Sequence, residues 1–356
     1  MRLVVVGLSL SSSWGNGHAT TYRALLAAFA ARGHDIMFLE RDMPWYAQNR
    51  DLADPSFCRL ALYDGLDGLR EHGPAIAGAD AVIVGSYVPD GIEVARFVQD
   101  TARGVTAFYD IDTPVTLAAL ERGDCAYLSR AVIPGFDLLL SFTAGPTLTR
   151  LEQEFGARDA RGFYCSVDPA RYRPTAALRR WDLGYLGTYS DDRQPTLDRL
   201  LIEVARRAPE RRFVVAGPQY PASIDWPGNV ERIEHLAPQD HPDFYSACGW
   251  TLNVTRADMI RAGWSPSVRL FEAGACGCPI VSDRWDGIED VLTPGLEIVL
   301  ADDTDALVTL LDWPAERRET VAVAAKTRIL AAHTSAHRAV QLETIFLMQP
   351  KRSARR

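Results

Sequence analysis

No apolar run in these 356 residues approaches the length that crosses a bilayer. The opening MRLVVVGL is too short for a signal peptide. Ser, Trp, Gly and Asn follow it rather than a cleavage site, so it reads as a first core strand. Cysteine is sparse and scattered: six residues, with Cys276 and Cys278 two apart and no second pair, which argues against a zinc site. Reduced thiols and a cytoplasmic location are the expectation. Positive charge is not in excess either. A formal net charge of −8 argues against a nucleic-acid partner, and the basic KRSARR at the end reads as a frayed, solvated terminus. There is no G-x-S-x-G elbow, no H-E-x-x-H and no Walker lysine. No repeat of fixed period and no low-complexity stretch occur. What remains is an ordinary globular composition, 47% hydrophobic and 24% charged, in a chain long enough for two cores.

Short apolar runs alternate with helical patterns throughout. In the first half Leu3–Val6, Ile36–Leu39, Ala81–Val84, Val105–Tyr109 and Leu138–Phe142 read as strands. They are continuously apolar, as parallel strands covered on both faces are. Helical stretches such as Thr20–Ala31, Gly91–Ala102, Pro114–Arg122 and Pro146–Phe155 separate them. The pattern weakens in the Pro- and Arg-rich Val167–Arg180, which reads as a linker. A second alternation then begins at Leu183–Leu186 and runs to Ile298–Leu300, and helices close the chain. The expected fold is α/β with two units of similar size.

The most informative stretch is Trp264–Asp283, WSPSVRLFEAGACGCPIVSD. It predicts a short helix capped by Ser265, with Pro266 in its first turn, ended at a left-handed Gly277 and followed at once by a buried strand. Glu272 falls mid-helix among apolar and small residues, an odd place for a carboxylate unless something pairs with it. The unremarkable alternative is an ion pair with Arg269 at i, i+3. Arg256, Arg261 and Arg269 are candidate phosphate contacts, of which one or two should matter, since long cationic chains also serve to cover apolar surface.

Three further loops follow predicted strands. Ser11–Thr21, SSSWGNGHATT, offers the backbone of Gly15, Asn16 and Gly17 for close approach to a bound group and places His18 at its tip. A dinucleotide fingerprint wants a third glycine near Thr20, which is absent, although Glu40 and Asp42 stand about where its acidic residue belongs. Tyr109–Pro114, YDIDTP, holds Asp110 and Asp112. One of them, or Thr113, caps the next helix, or an aspartate orients His18 as a base. Leu186–Arg193, LGTYSDDR, could present Gly187, Thr188 and Arg193 to a phosphate. Asp191 and Asp192 are only a weak metal signal.

Together these pieces resemble the GT-B class of nucleotide-sugar glycosyltransferases. SVRLFEAGACGCPIVSD at Ser267–Asp283, PGLEIVL at Pro294–Leu300 and AAHTSAHRAVQLE at Ala331–Glu343 resemble its spore-maturation (CgeB-like) branch within the group 1 transferases. GNGHATTYRALLAAFAARGHDI, running to Ile36, resembles the first loop and helix of many GT-B enzymes. The resemblance implies two Rossmann-like α/β/α domains facing a cleft, with C-terminal helices closing back. Residues 1–170 would bind the acceptor, 180–335 the nucleotide-sugar donor, and 336–356 would form a last helix and basic tail. It puts donor ribose on Glu272, diphosphate near Gly187 and Thr188, phosphate or sugar on the Asp283–Gly287 turn, and the base near His235 and Leu236. It makes His18 the catalytic base of an inverting enzyme, with Asp110 or Asp112 as its partner. Retaining relatives carry a second glutamate eight positions before the ribose one, and here that position is Trp264, which leans the reading towards inversion. The family generally needs no bound metal and no cofactor. The leaving diphosphate is then neutralised by helix dipoles and by cations such as Arg193, Arg256, Arg261 and Arg269.

The function expected is metal-independent transfer of a sugar, of the hexosyl type, from a nucleoside diphosphate to a hydroxyl or other nucleophile. A nucleotide-sugar 2-epimerase and a non-catalytic nucleotide-sugar binder are the rivals, with a nicotinamide oxidoreductase behind them. No membrane span and no nucleic-acid partner are expected.

Overall fold

The computed structural model describes residues 1–14 and 17–350. They divide into two units, the first made of those up to residue 166 together with 335–350, the second of residues 167–334.

The first unit is built on a seven-stranded parallel sheet: β1 (Arg2–Gly7), β2 (Asp35–Arg41), β3 (Arg59–Tyr63), β4 (Ala81–Gly85), β5 (Val105–Asp110), β6 (Leu138–Ser141) and β7 (Ala160–Gly162). Their order is β3-β2-β1-β4-β5-β6-β7. Val4 of β1 pairs with Met37 on one side and Val82 on the other. The buried runs behave as continuous apolar strands should, with Val6, Leu39, Val84, Phe108 and Leu139 in one core. The two strands the sequence pattern misses, β3 and β7, are the sheet's edges. β3 is only partly buried and β7 is three residues long, so neither carries a continuous apolar run.

The chain's last helix, Ser335–Met348, belongs to this first unit and packs on the helix His18–Ala30. It buries Ala339, Leu342 and Phe346. Glu343 pairs with Arg32 and, at 3.3 Å, with His34. Arg338 Nε donates to the Tyr164 carbonyl at 3.0 Å, and Gln341 to that of Gly162 at 3.1 Å.

The second unit repeats the plan with six parallel strands: β8 (Trp181–Leu186), β9 (Phe213–Ala216), β10 (Val230–Ile233), β11 (Cys248–Asn253), β12 (Ile280–Ser282) and β13 (Val299–Leu300). Their order is β10-β9-β8-β11-β12-β13. In both units the first strand sits mid-sheet and the order reverses beside it. That reversal opens a crevice outside the strand carboxyl ends, the place where doubly wound sheets bind ligands. The predicted helix after β8 is interrupted by a π-helical turn, Asp198–Ile202, and the Thr304 hydroxyl donates to the Arg199 carbonyl there at 2.8 Å.

Two capping expectations fail. The helix expected at Ser265 runs from Val268 to Ala275, with Ser267 at the N-cap position. The Ser267 hydroxyl donates to Asn253 Oδ1 at 2.9 Å instead of capping a helix amide. At its other end Gly277 does take a left-handed φ of +69°. The Gly277 amide bonds the Gly274 carbonyl and the Cys278 amide that of Ala273, a Schellman motif. The helix after β5 spans Thr113–Arg122, and Asp112 takes its N-cap position without a side-chain cap bond. The Thr113 hydroxyl shares a 2.7 Å hydrogen bond with Ser141 Oγ.

All six cysteines are free thiols. No helix among the described residues is long and apolar enough to cross a membrane.

Candidate active site

Three loops converge at the carboxyl ends of β1, β4 and β5. His18 is not at a loop tip: it is the first residue of the helix His18–Ala30 and is only 7% exposed. Burial pulls its pKa down, and the Asp112 charge partly opposes this. Its Nδ1 has no hydrogen-bond partner among the described residues. The Tyr87 ring meets it edge-on, centroids 5.4 Å apart, and stacks tilted on Tyr127 at 4.5 Å. Tyr87 holds a left-handed φ of +62°, a conformation that concentrates at functional sites.

Asp110 and Asp112 have separate surroundings. Asp110 is fully buried and accepts from Thr116 Oγ1 at 2.9 Å and from the Asp112 amide at 3.2 Å. Thr116 in turn shares a 2.7 Å bond with the Tyr127 hydroxyl. Burial raises the Asp110 pKa to about 7. Asp110 therefore shapes the loop, while Asp112 is the carboxylate whose charge acts on His18.

Glu40 resolves the nicotinamide question. It is fully buried at the end of β2 and accepts from the Leu10 amide at 2.6 Å, the Ser11 amide at 2.8 Å and Ser11 Oγ at 2.6 Å, with Ser9 Oγ at 3.3 Å. A carboxylate occupied in this way has no capacity for a cofactor ribose. Asp42 is paired with Arg50. Of the three backbone candidates in this loop, Gly15 and Asn16 lie outside the described residues, and Gly17 is the N-cap of the first helix.

In the second unit Glu272 lies on the helix Val268–Ala275, 7% exposed. The Tyr245 hydroxyl donates to its Oε2 at 3.1 Å, and His241 Nδ1 lies 3.6 Å from the same oxygen. The Tyr172 hydroxyl is 3.5 Å from His241 Nδ1. Burial and the Glu272 charge keep both tyrosines protonated, so they serve as donors. Its partners are these groups rather than Arg269.

Arg269 is engaged elsewhere. Its Nε donates to the Leu186 carbonyl at 2.8 Å, as does Nη2, and Nη1 donates to Asn253 Oδ1 at 2.9 Å. The guanidinium lies 4.7 Å over the Tyr185 ring. A Cβ on Gly187 would come 2.7 Å from the Tyr185 hydroxyl and 2.8 Å from Arg269 Nη2, so a side chain there would displace the ends of both. Arg193 Nη2 donates to the Thr188 carbonyl at 2.6 Å, while its buried Nε has no partner among the described residues. Arg256 lies 3.7 Å from Asp192 in the same loop region. Arg261 pairs with Asp258 on an exposed helix face and joins none of this.

Asp283 clasps the carboxyl ends of β11 and β12. It accepts from the Thr255 amide at 2.9 Å and Thr255 Oγ1 at 2.7 Å, and burial pushes its pKa up. Gly287 has φ +85° and lies against Trp264. His235 is exposed and Leu236 half-buried in the segment after β10. Among the described residues no group of three or more His, Cys, Asp or Glu is placed to hold a metal ion.

Sequence reasoning passed over Tyr87, Tyr172, His241 and Tyr245. Tyr87 was open to discovery, because GSYVPD follows a predicted strand as the other candidate loops do. The other three come from segments without strand-end signals and meet Glu272 only through the fold.

Two parallel-sheet α/β units of this kind define the GT-B fold, and solved glycosyltransferase structures match it along the chain. Sucrose-phosphate synthase from Thermosynechococcus elongatus matches with a TM-score of 0.70 at 14% identity, covering 98% of each chain. Anabaena HepE in complex with UDP and glucose matches at 0.72 and 12% identity, over 98% of this chain and 100% of that one. An E. coli structure described as trehalose-6-phosphate bound with UDP-2-fluoro glucose matches at 0.67 and 12% identity, over 99% and 100%. Residues 193–344 match the family described as glycosyl transferase-like. No curated protein matches the sequence.

Proposed function

We propose that the protein is a GT-B glycosyltransferase that moves a hexose from a nucleoside diphosphate to an acceptor hydroxyl, with inversion and without a metal. The reading rests above all on Glu272: a buried carboxylate held by Tyr245 and His241, inside the glycosyl transferase-like region. In this role Glu272 accepts hydrogen bonds from the donor ribose. The backbone of Gly187 and Thr188, with Arg193 and Arg256, faces the diphosphate, while Arg269 braces that turn through Leu186 and Asn253. His235 and Leu236 border the base, and the Asp283–Gly287 turn the sugar. The uridine nucleotides of the structural neighbours favour a uridine donor. The segments at Ser267–Asp283, Pro294–Leu300 and Ala331–Glu343 favour the CgeB-like branch.

His18 serves as the general base. A depressed pKa keeps its imidazole neutral at pH 7 and able to accept a proton. The acceptor oxygen attacks the anomeric carbon, and its proton passes to His18. The bond from that carbon to the diphosphate breaks, and the nucleoside diphosphate leaves with the electron pair. The Asp112 charge stabilises the imidazolium that forms. Cations and backbone amides at the diphosphate supply the electrostatic stabilisation of the leaving group.

The test is incubation of wild type and His18→Ala with labelled sugar nucleotides and a mixture of hydroxyl acceptors. Wild type should form a glycosylated product, and the variant should lose about 10²–10⁴-fold in rate while binding donor as before. An epimerised donor formed without acceptor, or unchanged turnover in the variant, would reject the proposal.

A further inference from the structure

We infer that Trp264 is a platform for the sugar ring of the donor, so that the donor carries a pyranose with one unobstructed C–H face; this rests on the glycosyltransferase reading above. Trp264 has a φ of +44°, a left-handed conformation that a bulky L residue rarely adopts and that glycine would take without strain. The strain is over-determined by its surroundings. The Trp264 amide donates to the Asp286 carbonyl at 2.5 Å. The preceding Gly263 has φ +66°, and a Cβ there would come 3.1 Å from Asp286. The indole lies on Gly287, where a Cβ would stand 2.4 Å from its ring atoms. Two turns are thus pressed together so that an indole rests on bare backbone.

Burial does not account for this arrangement. Trp285, in the facing turn, is 3% exposed and belongs to the core, whereas Trp264 stays half-buried. Trp264 also stands where a ligand is expected. It lies four residues before the helix carrying Arg269 and Glu272, and its partner turn follows β12 next to the Asp283 clasp. The turn the indole lies on, Asp283–Gly287, is the one that the reading above gives to the sugar. An indole face there offers broad dispersion contact and a negative quadrupole to polarised C–H bonds. It makes no demand on individual hydroxyls, so it selects ring shape and leaves stereochemical detail to neighbouring polar groups.

Calorimetric titration of the full chain with UDP, GDP, ADP and dTDP, each beside its hexose conjugate, separates the possibilities. For the pair that binds best, Trp264→Gly should weaken the sugar conjugate about 10-fold, while the bare diphosphate changes less than about 2-fold. Trp264→Phe should recover most of the loss. Glycine relieves the left-handed backbone but gives up the indole's packing on Gly287, so Trp264→Phe, which keeps a ring there, is the control for folding. Equal losses for diphosphate and conjugate, or no loss at all, would overturn the platform. A wild type that binds no nucleotide and no conjugate would instead overturn the transferase reading, and the platform with it.

Discussion

Asp110 is a carboxylate in the wrong solvent. The fold buries it completely and gives it two hydrogen bonds but no counter-charge, and its pKa moves from 3.8 to about 7. Unfolded, the same carboxyl loses its proton near pH 4. Between those values the folded chain therefore binds more protons than the unfolded one, and stability falls as pH rises through the window. Asp110→Asn abolishes that slope. Thermal melts from pH 4.5 to 8 should show wild type losing stability across the window more steeply than the variant. Parallel curves would mean that Asp110 is ionised throughout. His18 moves in the opposite direction, since burial favours the neutral imidazole. The two groups show why their residue types alone do not announce a role. The resemblance offers Asp110 or Asp112 as the partner of His18 without choosing between them, and the approach of Asp112 to His18 depends on β1 and β5 flanking β4, which nothing local in the sequence encodes. Tyr87, set between them in the sheet order, is visible only once its ring is seen against the imidazole.

The helix Val268–Ala275 carries Arg269 and Glu272, and its packing is as tight as its sequence of small residues suggests. Gly274 faces the helix Ala315–Ala332, where a Cβ would stand 2.8 Å from Ile329 Cγ1. Alanine at an ordinary helical glycine stabilises by about 0.5–1 kcal/mol. Here overpacking of about 1–3 kcal/mol outweighs it. Gly274→Ala should lower the urea midpoint at unchanged m-value, and Ile329→Ala combined with it should be less harmful than the two losses added. A more stable Gly274→Ala would refute the tight contact. Elements of this kind are legible in sequence to different degrees. The continuously apolar strands and the glycine stop at Gly277 announce themselves. Edge strands such as Arg59–Tyr63 do not, because one-sided burial leaves no continuous run. The start of this helix lies two residues beyond its expected cap, at Ser267 rather than Ser265. The Ser267 hydroxyl takes Asn253 as its partner instead of a helix amide, a tertiary competitor that propensity cannot foresee.

At the scale of the molecule, two sheets with the same strand order each own a core, and the chain crosses back to finish the first with its last helix. Ser335–Met348 contributes Ala339, Leu342 and Phe346 to that unit, and burying side chains the size of Leu342 and Phe346 is worth about 1.5–3 kcal/mol each. A chain ending at Thr334 should therefore lose protection in residues 1–166 and retain it in residues 167–334. Hydrogen exchange read by mass spectrometry checks this, and equal protection in both units would show that the helix is dispensable. The final helix is predictable from its pattern, but its allegiance to the first unit is not, because the salt links from Glu343 reach back to Arg32 and His34 across the whole sequence.

The claim on which the functional account depends is that residues 167–334 bind a nucleotide sugar through Glu272. A crystal structure of the protein with a UDP-sugar tests it most directly. The account predicts ribose hydroxyls within hydrogen-bond distance of the Glu272 carboxylate and the diphosphate against Gly187 and Thr188. A nucleotide seated instead on the Ser9–His18 segment of the first unit, with Glu272 still bound only by Tyr245 and His241, would contradict it.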